Sequence, residues 1–238
     1  MNIALVGYGK MGRIIETVAL SRGHAIVLRI DLDNANDLNA ENISKADVAI
    51  EFTGPHSAFG NLDKCLDLGI PTVSGSTGWL EDYPAIEKKC IEKNGSFLYA
   101  SNFSVGVNIF FEINKRLAQL MATQPEYDVT VTEIHHTQKK DAPSGTAITI
   151  AEQILAAVPR KHRWVNHISD NIAELEIISE RTDPHPGLHK VNYQSAIDEI
   201  EIIHNAHNRN GFALGAVLAA EFIKDRKGIF TMKEVLGL

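Results

Sequence analysis

Apolar and polar positions repeat with two different periods along this chain, and the balance between them changes near its middle. Residues 3–6 form a short unbroken apolar run, residues 13–21 place Ile14, Ile15, Val18 and Ala19 at helical spacing, and residues 25–30 form a second run. Short apolar runs bounded by turn residues fit strands buried on both faces, and an amphipathic segment between two of them fits a crossover helix. The same unit recurs, predicting strands over 48–52, 72–73 and 97–100 and helices over 58–68 and 83–92. After Phe103 a long amphipathic helix is predicted over 105–121. Strands then dominate, at 128–134, 175–179, 190–193 and 200–204, with a turn at 182–187 and one helix over 147–158 among them. Residues 211–223 are apolar nearly all round and rich in small side chains, which predicts a buried helix.

A βαβ series followed by a run of strands predicts two folding units. The expected class is α/β, with an N-terminal Rossmann-type parallel sheet over 1–103 completed by the C-terminal helix within 207–238. An inserted α+β domain with a mixed sheet is expected over 104–206. Two chain crossings between the units would make a natural hinge.

The turn after the first strand reads Gly7-Tyr8-Gly9-Lys10-Met11-Gly12. In a dinucleotide site the first glycine permits the tight turn, the second lets backbone approach a pyrophosphate, and the third lets the helix pack closely on the strand. Asp31 closes the second strand about twenty residues further on, where such a site places its ribose-binding acid. A carboxylate there accepts from both ribose hydroxyls and repels a 2′-phosphate, and Leu32 stands where an arginine could have served that phosphate, so NADH is favoured over NADPH. Ligands of doubly wound sheets bind outside the carboxyl ends of the strands. That rule adds Thr53 and Gly54, Gly75, Ser76, Thr77 and Gly78, and Ser101, Asn102 and Phe103 as candidate cofactor contacts. Ordinary turn chemistry would account for each of these loops taken alone.

Residues 133–147, Glu-Ile-His-His-Thr-Gln-Lys-Lys-Asp-Ala-Pro-Ser-Gly-Thr-Ala, concentrate groups that donate protons, carry positive charge and grip anions. His135 and His136 fall near a strand end, where alternation sends one toward packing and the other toward a pocket. Pro143, Ser144, Gly145 and Thr146 form a turn and a capping hydroxyl at a helix start, a seat for a carboxylate or phosphate, and Lys139 and Lys140 approach it. No metal is expected, because neither a cysteine nor a third histidine stands nearby at ligand spacing. The run Arg160-Lys161-His162-Arg163 reads as a solvated charge cluster at a helix end, or less readily as a basic rim for an acidic substrate.

Composition narrows the classes. The chain has 238 residues, 44% hydrophobic and 22% charged, which is ordinary for a globular protein and argues against disorder. A net charge of −7 opposes nonspecific nucleic-acid binding. The absence of a bilayer-length apolar run or a secretory leader points to a cytoplasmic protein with no membrane partner. Cys65 and Cys90 lie in predicted helices and read as small core residues rather than a disulfide.

Glu133-Ile-His135-His136, Lys139 and Asp141-Ala-Pro-Ser-Gly-Thr-Ala147 together resemble the signature of the 4-hydroxy-tetrahydrodipicolinate reductase family, also called dihydrodipicolinate reductases. The resemblance extends through the glycine loop, Gly75-Ser76-Thr77-Gly78-Trp79, 102–108, 187–191 and 200–213. It implies an NAD(P)H-dependent reductase of lysine and diaminopimelate synthesis, whose second domain binds a cyclic dicarboxylate and forms the oligomer, usually a homotetramer. His135 matches the family's proton donor, Lys139 its catalytic lysine and His136 a substrate-binding histidine. Ser144, Gly145 and Thr146 match its carboxylate-binding turn. Gly7, Tyr8, Gly9, Lys10, Met11, Gly12, Asp31, Gly75, Ser76, Thr77, Ser101, Asn102 and Phe103 match its cofactor contacts. The glycine loop looks one residue shorter than the family's Gly-x-x-Gly-Arg-Met-Gly, with Lys10 where arginine is usual. Another imine or amino-acid reductase on the same plan, or a non-catalytic NAD(H) sensor, would share the glycine loop; the His-His, Lys and Ser-Gly-Thr constellation favours catalysis.

Overall fold

A computed structural model describes residues 1–238. The chain divides into two compact units, one of Met1–Val105 with Arg209–Leu238 and the other of Gly106–Asn208.

In chain order the elements are β1 (Asn2–Val6), α1 (Lys10–Ser21), β2 (Ala25–Ile30), α2 (Ala40–Ile43), β3 (Val48–Glu51), α3 (Ala58–Asp67), β4 (Thr72–Ser74), α4 (Tyr83–Glu92), β5 (Ser96–Tyr99) and α5 (Val105–Met121). Then follow β6 (Asp128–His135), α6 (Gly145–Ala157), β7 (Arg163–Val165), β8 (Glu174–Arg181), β9 (Gly187–Gln194), β10 (Glu199–Ala206), α7 (Asn210–Ile223), β11 (Gly228–Phe230) and α8 (Met232–Leu236). No helix is long and apolar enough to cross a membrane.

The first unit is built on a six-stranded sheet of order β11-β5-β4-β3-β1-β2, parallel throughout. Parallel strands covered on both faces need apolar residues at every position, and β1 is buried from Ile3 to Val6 for that reason. The buried helix expected near the C-terminus is α7, whose Ala213, Ala216, Val217, Ala219, Ala220 and Ile223 share one core with Ile3, Leu5, Val48, Ile50, Val73 and Leu98. Its small side chains allow close approach, and a side chain at Gly215 would fall 1.7 Å from the Phe103 carbonyl oxygen. The chain then adds β11 to the sheet edge, a three-residue strand too short to announce itself by periodicity.

The second unit carries a five-stranded sheet of order β10-β9-β6-β8-β7, antiparallel from β10 to β6 and parallel from β6 to β7. Alternation buries Val129, Val131, Glu133 and His135 on one face of β6. The apolar members of that face join Ile150, Ala151 and Ile154 of α6 and Phe110 and Ala118 of α5 in a second core. Glu133 and His135 are therefore polar intrusions into the helix-covered face.

One sequence expectation is corrected here. The Arg160–Arg163 run is solvated only in its second half: His162 and Arg163 are exposed, but Lys161 is 4% exposed, with Nζ 2.7 Å from the Glu174 carbonyl and 2.6 Å from Asp128 Oδ1. Arg160 donates to the carbonyls of Met121, Ala122 and Tyr127. Arg160 and Lys161 cap carbonyls left open at the end of α5 and at the starts of β6 and β8, a long-range use that a local charge pattern does not reveal.

Candidate active site

β1 and β3 are neighbours, but the chain leaves β1 toward β2 on one side and β3 toward β4 on the other. At such a reversal the two following loops diverge and leave a crevice outside the strand ends. A cavity of about 480 Å³ lies there, lined by Gly7, Gly9, Asp31, Leu32, Phe52 and Thr53 among others. A second cavity of about 360 Å³ shares Gly9, Phe52, Thr53, Gly54 and Pro55 and adds Lys10, Met11, Gly75, Ser76 and Thr77.

Glycine is needed at two corners of this cradle. Gly7 has φ +101°, and a Cβ there would sit 2.2 Å from the Phe52 carbonyl oxygen, while a Cβ at Gly12 would sit 2.2 Å from the carbonyl oxygen of Gly7. Gly9 is different, since a Cβ there would meet nothing within 4 Å. It is the N-cap of α1 and offers no side chain to the first-turn N–H groups. An anion can therefore take that place, where the donors and the helix dipole converge.

Asp31 stands at the end of β2 with Oδ1 accepting from Leu32 N at 2.9 Å, and Leu32 is 93% exposed. Arg29 is committed to Glu16, which also takes the Tyr8 hydroxyl. Arg13 lies over the Tyr8 ring at 4.8 Å. Tyr8 thus belongs to a surface network on α1, and it does not line either cavity, nor do Gly12, Ser101, Asn102 and Phe103. Phe103 is buried, its ring 5.6 Å from that of Phe52.

Beneath the cradle lies a group that sequence reasoning missed. Glu51, fully buried at the end of β3, accepts from Thr53 N at 2.9 Å and from the hydroxyls of Thr53, Ser74 and Ser76. Thr53 N also reaches Ser76 Oγ at 2.8 Å. One carboxylate thereby ties together the loops after β3 and β4. As the last residue of a buried strand it had no local signal; Thr53 is close in sequence, but Ser74 and Ser76 come from the neighbouring strand and the loop after it. The open helix start, the two constrained glycines and the acid at the rim suit a dinucleotide.

In the second unit the end of β6 delivers His135, 7% exposed, beside the start of α6. His136 is half-buried, and its carbonyl closes a turn onto Lys139 N. Lys139 Nζ lies 2.8 Å from both carboxylate oxygens of Asp141. Ser144 is the N-cap of α6: its Oγ accepts from Ala147 N at 3.2 Å, and the residue is only 2% exposed. Loss of such a cap costs about 1 kcal/mol. Gly145 is exposed at the first helical position, with open space above it.

Glu133 connects these parts. Its carboxylate takes Ser144 N, Ser179 Oγ and Arg181 Nη2, and it lies 3.3 Å from His135 Nδ1. Burial opposes its ionisation, but these donors overcome burial and hold the carboxyl well below the usual range. His189 arrives from β9, opposite Glu133 in register, with its ring edge-on to His135 at 5.1 Å. Burial, reinforced by His135, pushes the His189 imidazole down to about 3, so it is neutral. The third histidine absent from the local sequence is thus supplied by a neighbouring strand. Ligand atoms of Glu133, His135 and His189 all lie within 4.8 Å of one another. The Arg181 guanidinium 3.0 Å from Glu133 already neutralises that carboxylate, which fits a proton-handling cluster better than a metal centre.

Comparison with known proteins matches residues 1–103 to the family model "Dihydrodipicolinate reductase, N-terminus" and residues 106–236 to "Dihydrodipicolinate reductase, C-terminus". The chain is 51% identical over 238 residues to a 4-hydroxy-tetrahydrodipicolinate reductase of Christiangramia forsetii, covering 100% of this chain and 98% of the relative. It is 30% identical to a protein of that name from Neisseria gonorrhoeae, covering 100% and 98%. Among solved structures, a dipicolinate-bound dihydrodipicolinate reductase from a Paenisporosarcina species matches with a TM-score of 0.78 at 23% identity, covering 98% of each chain. A probable dehydrogenase from Thermotoga maritima matches with a TM-score of 0.56 at 8% identity, covering 100% and 93%. At those identities the structural likeness speaks for the fold.

Proposed function

The chain belongs to the dihydrodipicolinate reductase family, and from that premise we propose how its residues reduce 4-hydroxy-tetrahydrodipicolinate to tetrahydrodipicolinate. It is an NAD(P)H-dependent oxidoreductase. Loss of water from the substrate leaves a cyclic conjugated imine with two carboxylates, which then gains one hydride and one proton. When bound, the reduced nicotinamide supplies the hydride. The start of α6, with Gly145 and Thr146 placed by the Ser144 cap, receives one substrate carboxylate. Lys139 exchanges Asp141 for negative charge on the substrate, and His136 adds a binding contact. His135 gives the proton: its N–H bond breaks, the proton joins the ring carbon that has received the electron pair, and a neutral imidazole remains.

In the first unit Gly7, Gly9, Lys10, Met11, Gly75, Ser76 and Thr77 hold the dinucleotide, with Asp31 on its ribose. NADH is the preferred form. Asp31 repels a 2′-phosphate, Leu32 offers it nothing, and Arg29 is already paired with Glu16.

The observation that carries this reading is the convergence, at one strand end, of buried His135, ion-paired Lys139 and the capped start of α6. The test is loss of reduced-nicotinamide absorbance, with substrate generated in place from pyruvate and aspartate semialdehyde by the upstream synthase. Oxidation that depends on the protein and is faster with NADH is expected. His135→Ala and Lys139→Ala should each lower turnover about 100-fold or more while leaving NADH affinity intact. Folded protein that binds NADH but oxidises neither cofactor would overturn the assignment.

A further inference from the structure

A general acid needs its imidazole held in one orientation, in one tautomer, and charged when the electron pair arrives. His135 Nδ1 is fully buried and has no partner with hydrogen-bond geometry, yet Glu133 Oε2 lies only 3.3 Å from it. The two oxygens of Glu133 do different things. Oε1 is saturated by Ser179 Oγ at 2.7 Å, Arg181 Nη2 at 3.0 Å and Ser144 N at 3.1 Å. Oε2 has only a shared Ser144 N at 3.2 Å, and otherwise faces two imidazoles, His135 at 3.3 Å and His189 at 3.9 Å.

We infer that Glu133 is the positioning residue for the proton donor: Oε1 anchors the carboxylate to β8 and the start of α6, and Oε2 holds the Nδ1–H edge of His135, which leaves Nε2 to deliver the proton. This rests on His135 being the proton donor in the reduction proposed above. The balance is simple. The Nε2–H bond of the imidazolium breaks, its electron pair stays on nitrogen, the proton goes to the substrate carbon, and water later restores it.

Other polar and charged groups face the His135–Glu133 pair from several elements. Arg181 and Ser179 reach the pair from β8, and Ser144 from α6. His189 reaches it from β9, with His204 opposite it on β10. Lys139, paired with Asp141 in the preceding loop, also acts on His189. Two imidazoles 5.1 Å apart do not both hold a proton readily. Burial keeps His189 neutral, with Nε2 3.3 Å from Ser144 Oγ, so its lone pair can take the hydroxyl hydrogen that capping leaves unused. His135 is the nearer of the two to Oε2. Gly187 completes the mount, because a Cβ there would come within 3.1 Å of His135 Nε2.

The experiment compares Glu133→Gln and Glu133→Asp with the parent, measuring kcat and kcat/KM against pH at saturating NADH, with NADH affinity read separately. Activity that depends on a general acid should fall on the alkaline side of its pH profile. In Glu133→Gln that fall should move to lower pH by about one unit or more, and kcat near neutrality should drop about 10- to 100-fold with NADH affinity unchanged. Glu133→Asp, which keeps the charge, should restore much of the alkaline limb. A fall in kcat with the limb unmoved, or the same profile in both variants, would overturn the inference and leave Glu133 a structural residue. Nitrogen NMR of the imidazoles in the parent protein, with His135 identified by substitution, does not depend on the variants folding. It should find the neutral His135 ring protonated at Nδ1, and a ring protonated at Nε2 would also overturn the inference. A parent that does not turn over the substrate refutes the functional reading alone, since the NMR result still stands or falls by itself.

Discussion

Glu51 shows how much a single buried side chain decides in the dinucleotide cradle. It presents two oxygens to one rigid donor, Thr53 N–H, and three hydroxyls, on Thr53, Ser74 and Ser76. Replacement by glutamine keeps the shape but turns one acceptor into a donor facing other donors. The hydroxyls can rotate away; the backbone N–H cannot. The loop 53–55 lines both cavities, so its displacement should be felt by the ligand. Glu51→Gln should weaken NADH binding about tenfold, equal to about 1.4 kcal/mol, with kcat at saturating NADH little changed. Fluorescence titration of NADH checks this. Unaltered affinity in a folded variant would mean that the hydroxyls alone hold the loops.

At the level of elements, Arg160 and Lys161 form a joint between α6, the end of α5 and the starts of β6 and β8. Lys161→Met keeps the stem but removes charge-assisted bonds to the Glu174 carbonyl and to Asp128. Asp128 is 55% exposed on its side chain and can return to water, so the cost is that of the lost bonds, about 2–3 kcal/mol, without the penalty of a stranded charge. Urea unfolding should show a lower midpoint with kinetics unchanged, and an unmoved midpoint would favour a solvated cluster after all. The same joint shows where sequence reading succeeds. The α/β class, the parallel first sheet and α4 and α5 over their full spans were legible, because burial on both faces or along one stripe leaves a periodic trace. β7 and β11, three residues each, leave no trace, and α2 and α8 span barely one turn. The capped start of α6 was legible from the Ser144 turn. The groups that surround Glu133 and His135 were not, because Arg181 and His189 come from β8 and β9, more than forty residues along the chain.

For the whole molecule, the cluster of Glu133, His135 and His189 ties stability to pH, because it places a buried imidazole and a buried carboxylate in the helix-covered face of the second sheet. The His189 imidazole lies near 3 in the folded chain and near 6.5 when unfolded, so the unfolded chain binds more protons between those values. Stability from this residue is therefore fully present above about 6.5 and is lost as pH falls toward 3. The shift corresponds to on the order of 5 kcal/mol, and His189 is only 4% exposed, so solvent screening reduces it little. Glu133 acts in the same direction but lower. Its carboxyl is depressed from 4.5 in the fold, so its contribution holds above about 4.5 and is lost below. The melting temperature should begin to fall below pH 6.5, earlier than carboxylates alone would require, and fall more steeply below 4.5. His189→Gln should lower the melting temperature at pH 7.5 yet flatten its dependence between pH 6.5 and 5. Calorimetric melts across that range decide the matter, and parallel curves for parent and variant would show that His189 is not the group responsible.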